Sequence, residues 1–105
     1  MKMIRAVVRP EKEDVVMSNL EKAGIPSMTK LDVLGRGKQK GIQVGATVYE
    51  ELAKTMILVV VEDAKVQAAV EAIQGAARTG NFGDGKIFVS SVEEVYTIRT
   101  GKPGL

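Results

Sequence analysis

Six consecutive apolar residues, Met56-Ile57-Leu58-Val59-Val60-Val61, constrain this chain more than any other stretch. The run is rich in β-branched side chains and far shorter than the roughly 20 residues of a membrane helix. Residues 55–62, TMILVVVE, therefore read as a strand. Successive side chains of a strand point to opposite faces, so a strand wetted on one face alternates apolar with polar. This run does not alternate, and both of its faces ask for cover. In a chain of 105 residues the chain's own helices can cover one face, and the other is then covered from outside the subunit, which these burial rules favour, or left as a modest exposed patch on a locally twisted strand.

The remaining elements follow from local periodicity. Residues 3–9, MIRAVVR, form a first strand that stops at Pro10. Pro10 with Glu11, Glu13 and Asp14 starts a helix over 11–23, because early carboxylates complement the helix dipole. Val16, Leu20 and Ala23 give that helix one apolar stripe, and Gly24 is placed to end it. A second strand falls at 28–34. A long, glycine-containing connection follows over 35–53, of a length that is usually functional. Val66, Ala69, Val70 and Ile73 mark a second helix over 64–77. KIFVSSV at 86–92 is a fourth strand, and VYTIR at 95–99 reads as a short fifth one before the polar tail TGKPGL. The order β-α-β-loop-β-α-β predicts an α+β, ferredoxin-like double βαβ sandwich, with residues 1–105 as one domain. Helices on one sheet face and an apolar second face predict self-assembly.

Composition removes several function classes. The chain has no Cys and no His, which excludes disulfides, thiolate or imidazole metal sites, Cys nucleophiles and His acid–base chemistry. A net charge of +2 and an aromatic fraction of 4% do not make a nucleic-acid groove. No stretch resembles a targeting signal or a membrane span, and the chain reads as a soluble cytoplasmic protein. No carboxylate pair, and no nucleophile with a base beside it, stands out, so an enzyme is not expected.

Glycine and basic residues carry the chemistry that remains. Gly35-Arg36-Gly37-Lys38-Gln39-Lys40-Gly41 could bring backbone amides and cations to a phosphate, but it lacks the ending of a Walker loop, and composition alone favours a flexible basic loop. Thr79-Gly80-Asn81-Phe82-Gly83-Asp84-Gly85-Lys86 runs into a strand. It reads either as a tight turn or as an anion-binding nest with Lys86 neutralising phosphate. Arg99 and Lys102 in the tail, and Lys54 ahead of the strongest strand, are by themselves surface charges. Together these segments suit the binding of a phosphorylated ligand rather than its turnover.

TGNFGDGKIFV followed by IRTG, with the opening MKMIRAVVRP, GIPSMT and GRGKQKG, resembles the PII nitrogen-regulatory signal-transduction family over nearly the whole chain and in the family's order. The short loop between Gly41 and Lys54 and the tail GKPGL look most like the nitrogenase-associated archaeal-type branch. The resemblance implies a trimer of ferredoxin-like subunits with ATP or ADP between them. It implies nucleotide contacts from Gly83, Asp84, Gly85, Lys86 and Arg99, from Gly35, Gly37, Lys38 and Gln39, and from Ser27, Met28, Thr29, Val60 and Val7 around the adenine. It also implies 2-oxoglutarate as an effector, held by Lys54, Gln39 and Gly83, with Gln39 binding the Mg²⁺ that bridges ATP and the oxo acid. A hard cation accepts an amide oxygen, and a lysine supplies a point charge for a carboxylate. Metal, ATP and 2-oxoglutarate should then bind cooperatively.

Three departures qualify the resemblance. Thr97 stands where many members carry a second arginine, so phosphate grip is either weaker or supplied by Lys102. The large loop is shorter than in the bacterial glutamine-synthetase regulators. Their modified tyrosine has no secure counterpart, so modification of Tyr49 is not implied.

The branch implies a regulator that inhibits nitrogenase when fixed nitrogen is plentiful, acting as a homotrimer or with a second PII-like subunit, and switching the loop at 37–53. A regulator of an ammonium transporter or of glutamine synthetase is the alternative, weakened by the lack of an arginine in the tip Ile42–Thr47. A ferredoxin-like acylphosphatase-type enzyme is a distant third, because no Asn accompanies Arg9 in the needed place.

Overall fold

A computed structural model of the chain describes residues 1–36 and 51–105. Four strands, β1 (Lys2–Val8), β2 (Thr29–Gly35), β3 (Leu52–Val61) and β4 (Lys86–Ser91), form one sheet in the order β2-β3-β1-β4. Every neighbouring pair is antiparallel. Two helices, α1 (Glu13–Lys22) and α2 (Val66–Ala77), pack against each other and against one sheet face. This is the expected α+β ferredoxin-like arrangement, with the two halves β1-α1-β2 and β3-α2-β4 repeating one plan.

Each helix is entered through a short 3-10 turn, Pro10–Lys12 before α1 and Asp63–Lys65 before α2. The helices therefore begin two residues later than their periodicity predicts. Gly24 stops α1 as expected. With φ +83° it turns the chain back, so that the Ile25 amide donates to the Leu20 carbonyl at 2.9 Å and the Gly24 amide to the Glu21 carbonyl at 3.0 Å. These two bonds make a Schellman motif, and the buried Ile25 closes it.

The strand alternation decides which residues form the core. Ile57, Val59 and Val61 of β3, with Ile4, Ala6 and Val8 of β1, are buried against Val16, Leu20, Ala69 and Ile73 of the helices. Thr55 is the polar member of this row. Its buried hydroxyl donates to Glu13 at 3.0 Å, and Lys30 pairs with the same carboxylate at 3.2 Å. The Lys30 bond first, then the Thr55 bond, holds the Glu13 carboxyl below its ordinary range.

The opposite sheet face carries Met56, Leu58 and Val60, which are half-buried, and Leu31 and Phe88, which are exposed. No helix covers it among the described residues.

Two expectations are corrected. β3 begins at Leu52 rather than 55, because Leu52, Ala53 and Lys54 still pair with Gly35, Leu34 and Val33. The fifth strand at 95–99 is absent. Tyr96 makes a single bridge to Pro103, the Thr97 amide donates to the Lys102 carbonyl at 3.0 Å, and the Gly104 amide to the Val95 carbonyl at 2.8 Å. Glycines at φ +70° and +104°, Gly101 and Gly104, fold the tail back onto this segment, so its backbone groups bond to the tail and not to the sheet.

Candidate functional site

The glycine-rich segment lies at the end of the sheet where β1 stops and β4 starts. Its geometry is set by one carboxylate. Asp84 accepts the Thr79 amide at 2.8 Å, the Gly80 amide at 2.9 Å and the Thr79 hydroxyl, and pairs with Arg9 at 3.4 Å. The Thr79 hydroxyl and then the Thr79 amide outweigh the partial desolvation. With the Gly80 amide and Arg9 they hold the Asp84 carboxyl far below the usual carboxylate range. Asp84 thus stays ionised and closes residues 79–84 into a ring, which is more than a tight turn requires.

Gly85 then brings the loop against β1. It has φ +109°, and a Cβ there would stand 1.7 Å from the Val7 carbonyl oxygen. Only glycine permits this approach. It delivers Lys86 into register with Val7, on the sheet face that no helix covers.

A cleft of about 670 Å³ opens beside the loop, lined by Val7, Gly35, Arg36, Lys54, Phe88 and the segment Asn81–Lys86. Lys54 is buried at 8% exposure and donates to the Gly83 carbonyl. Gly35 sits beside its stem, where an added Cβ would be 3.1 Å from Lys54 Cγ.

The cleft brings together seven of the ligand-contact residues that the family resemblance implies: Val7, Gly35, Lys54, Gly83, Asp84, Gly85 and Lys86. Ser27, Met28, Thr29, Val60 and Arg99 do not line it. Val60 pairs with Met3, and Thr29 with Leu58, further along the sheet. The C-terminal segment that holds Arg99 leaves from the far end, where the Val92 amide donates to the Met1 carbonyl. Gly37, Lys38, Gln39 and Tyr49 lie outside the described residues. Arg9 was missed by sequence reasoning although it touches the loop, with Nη2 donating to the Phe82 carbonyl at 2.7 Å. Its place before Pro10 and near the end of a strand was the available signal.

The fold and this loop define a class: a ferredoxin-like α+β domain with a carboxylate-tied glycine loop beside a buried lysine. Residues 1–102 match the family model described as nitrogen regulatory protein P-II, and the chain belongs to that family. Among its relatives, the nitrogen fixation nifHD1 region GlnB-like protein 1 of Methanosarcina barkeri is 58% identical over 105 residues, all of both chains. The nitrogen fixation nifHD region GlnB-like protein 1 of Methanothermococcus thermolithotrophicus is 52% identical, again over all of both chains. A nitrogen regulatory protein P-II of Azospirillum brasilense is 49% identical over 108 residues, covering 99% of this chain and 96% of its own. The chain is thus a P-II-like nitrogen regulatory protein of the nifHD-associated, GlnB-like type. P-II proteins are signalling proteins that act on targets. Among the described residues no helix is long and apolar enough to cross a membrane.

Proposed function

We propose that this chain reads ATP or ADP together with 2-oxoglutarate, and restrains nitrogenase when fixed nitrogen is plentiful. The observation that carries the ligand reading is Lys54. A buried ammonium is costly unless it is paired. Among the described residues Lys54 has only the neutral Gly83 carbonyl, and no carboxylate. A small carboxylate entering the cleft would supply the missing countercharge. Lys86 and the loop amides would take the polyphosphate of the nucleotide.

The distribution of the remaining residues supports an assembly. Val60 lies four residues along β3 from Met56, which is about 13 Å at 3.3 Å per residue. One chain therefore presents the Gly83–Lys86 half of the site at one end of the sheet and the Ser27–Thr29, Val60 and Arg99 half away from it. Packing the uncovered faces of three sheets together would bury Met56, Leu58 and Val60 and set unlike halves side by side. The partners are copies of this chain or a second P-II-like subunit. As for Mg²⁺, no cluster of acidic side chains among the described residues could hold it, and Asp84 is already committed to Thr79, Gly80 and Arg9. The ligand that the family resemblance implies, Gln39, lies outside the described residues.

The nitrogenase target is supported by the relatives, which are named for nitrogen-fixation gene regions. The reading is tested by calorimetric titration of 2-oxoglutarate with and without Mg·ATP. Binding that depends on Mg·ATP is the expected result. Absence of nucleotide binding would overturn the reading, and ATP binding without 2-oxoglutarate would reduce it to an adenylate reader.

A further inference from the structure

The geometry points to Arg9 as the residue that positions the Gly80–Gly85 loop for its anionic ligand, an inference that rests on the nucleotide-binding reading above. Arg9 lies outside the glycine motif, 73 residues before the carbonyl it binds. Its backbone is held extended, φ −62° and ψ 140°, by the ring of Pro10 that follows. From there one guanidinium meets three consecutive loop residues. Nη2 donates to the Phe82 carbonyl at 2.7 Å, and Nε donates to Asp84 Oδ1 at 3.4 Å. Between them Gly83 lies close against the guanidinium, where an added Cβ would be 3.1 Å from Nη2 and 3.4 Å from Cζ. A side chain at 83 would crowd the guanidinium and strain a backbone at φ +95° that favours glycine.

The peptide plane converts this contact into a direction. In a trans peptide the C=O and the following N–H point opposite ways. Tying the Phe82 carbonyl to Arg9 turns the Gly83 amide away from the guanidinium. Tying the Gly83 carbonyl to Lys54 turns the Asp84 amide away from that ammonium. Neither amide has a protein acceptor among the described residues. Two successive amides are thereby aimed and left open, the arrangement that receives an anion. Lys54 cannot serve as the sole support, because a carboxylate ligand would compete for its ammonium. Arg9 is paired only with the loop among the described residues, so it keeps the loop in place whether or not Lys54 is occupied. Arg9 also faces Asp84, so the carboxylate that caps the Thr79 and Gly80 amides is oriented by the same group.

The test uses the full chain with Arg9→Met, which keeps bulk without donors, and Arg9→Lys, which keeps charge and one directed donor. Calorimetric ATP binding and amide hydrogen exchange at Thr79 and Gly80 are both measured. Arg9→Met is expected to weaken ATP by about 10-fold or more, the size of one lost charge-assisted hydrogen bond. Protection at both amides should fall with it, and Arg9→Lys should recover part of each. Since Arg9 lies at the rim of the fold, Arg9→Lys also guards against loss of structure in the methionine variant. ATP binding of Arg9→Met equal to wild type overturns the inference. If the wild-type protein binds no ATP, the nucleotide reading fails by itself and exchange decides the role of Arg9. Lowered protection in Arg9→Met then sustains the positioning role, and unchanged protection overturns it.

Discussion

Replacing Gly85 with alanine should damage this protein far more than the same change at Gly80. Both glycines have positive φ, +109° and +88°, so each alanine carries a backbone penalty of about 1–2 kcal/mol. Their surroundings differ. Around Gly80 an added Cβ meets nothing within 4 Å. At Gly85 it would stand 1.7 Å from the Val7 oxygen and 2.9 Å from the Val7 carbonyl carbon, where ordinary contact begins at 3.4 Å. These are backbone atoms of a strand paired on both sides, so they cannot swing away as a side chain would. Relief has to come from opening the Val7–Lys86 pairing. That loses one or two ladder hydrogen bonds at about 1 kcal/mol each, and more where a buried partner is left unsatisfied. The expected loss is roughly 3–5 kcal/mol for Gly85→Ala against about 1–2 for Gly80→Ala. For a domain of this size the difference corresponds to about 10 °C or more in Tm. Urea unfolding followed by circular dichroism at one fixed protein concentration is the assay, since the proposed assembly would make stability depend on concentration. Equal losses at the two positions would refute the close approach of the loop to β1.

Three further outcomes are expected. Asp84 has a folded-state pKa depressed below the ordinary carboxylate value, so its contribution is fully present above about pH 4 and drains away as pH falls through the folded value. Wild type should therefore lose more stability on acidification than Asp84→Asn, and parallel acid curves would show that the ring of hydrogen bonds does not hold the loop. Leu58→Glu places a carboxylate in the middle of the uncovered apolar face. It should dissociate the proposed assembly in sedimentation velocity, because an unpaired charge buried between subunits costs several kcal/mol, and an unchanged oligomer would put the interface elsewhere. Lys86→Ala should weaken ATP by about 10-fold or more, by the loss of a charge-assisted contact to phosphate. Unaltered affinity in calorimetry would move the phosphate site off this strand.

Local signals were enough for the order of elements. Apolar side chains at helical spacing marked α1 and α2, Gly24 marked the stop, and Pro10 marked the break after β1, because each is governed by neighbours within one or two turns. The non-alternating run in β3 was also legible, and the structure shows both consequences: one face forms the core and Met56, Leu58 and Val60 remain half-covered on the other. Local signals failed at 95–99. The strand-like composition of VYTIR could not reveal that two positive-φ glycines downstream return the tail to pair with it.

The motif around Asp84 was visible, but not what it does. That Asp84 closes a ring onto Thr79 and Gly80, that Arg9 supports residues 82–84, and that Lys54 reaches Gly83 are contacts across 4 to 75 residues of chain. Two of them exist because the antiparallel register pairs Val7 with both Lys86 and Met56, bringing the ends of three strands to one corner. The same register carries Val60 and the C-terminal segment away from that corner. Sequence by itself determined which residues could form strands, helices and a glycine loop, since those preferences are local. Which charges meet that loop was decided only by the sheet, because a charge is placed by the strand that bears it and a strand is placed by its long-range partners.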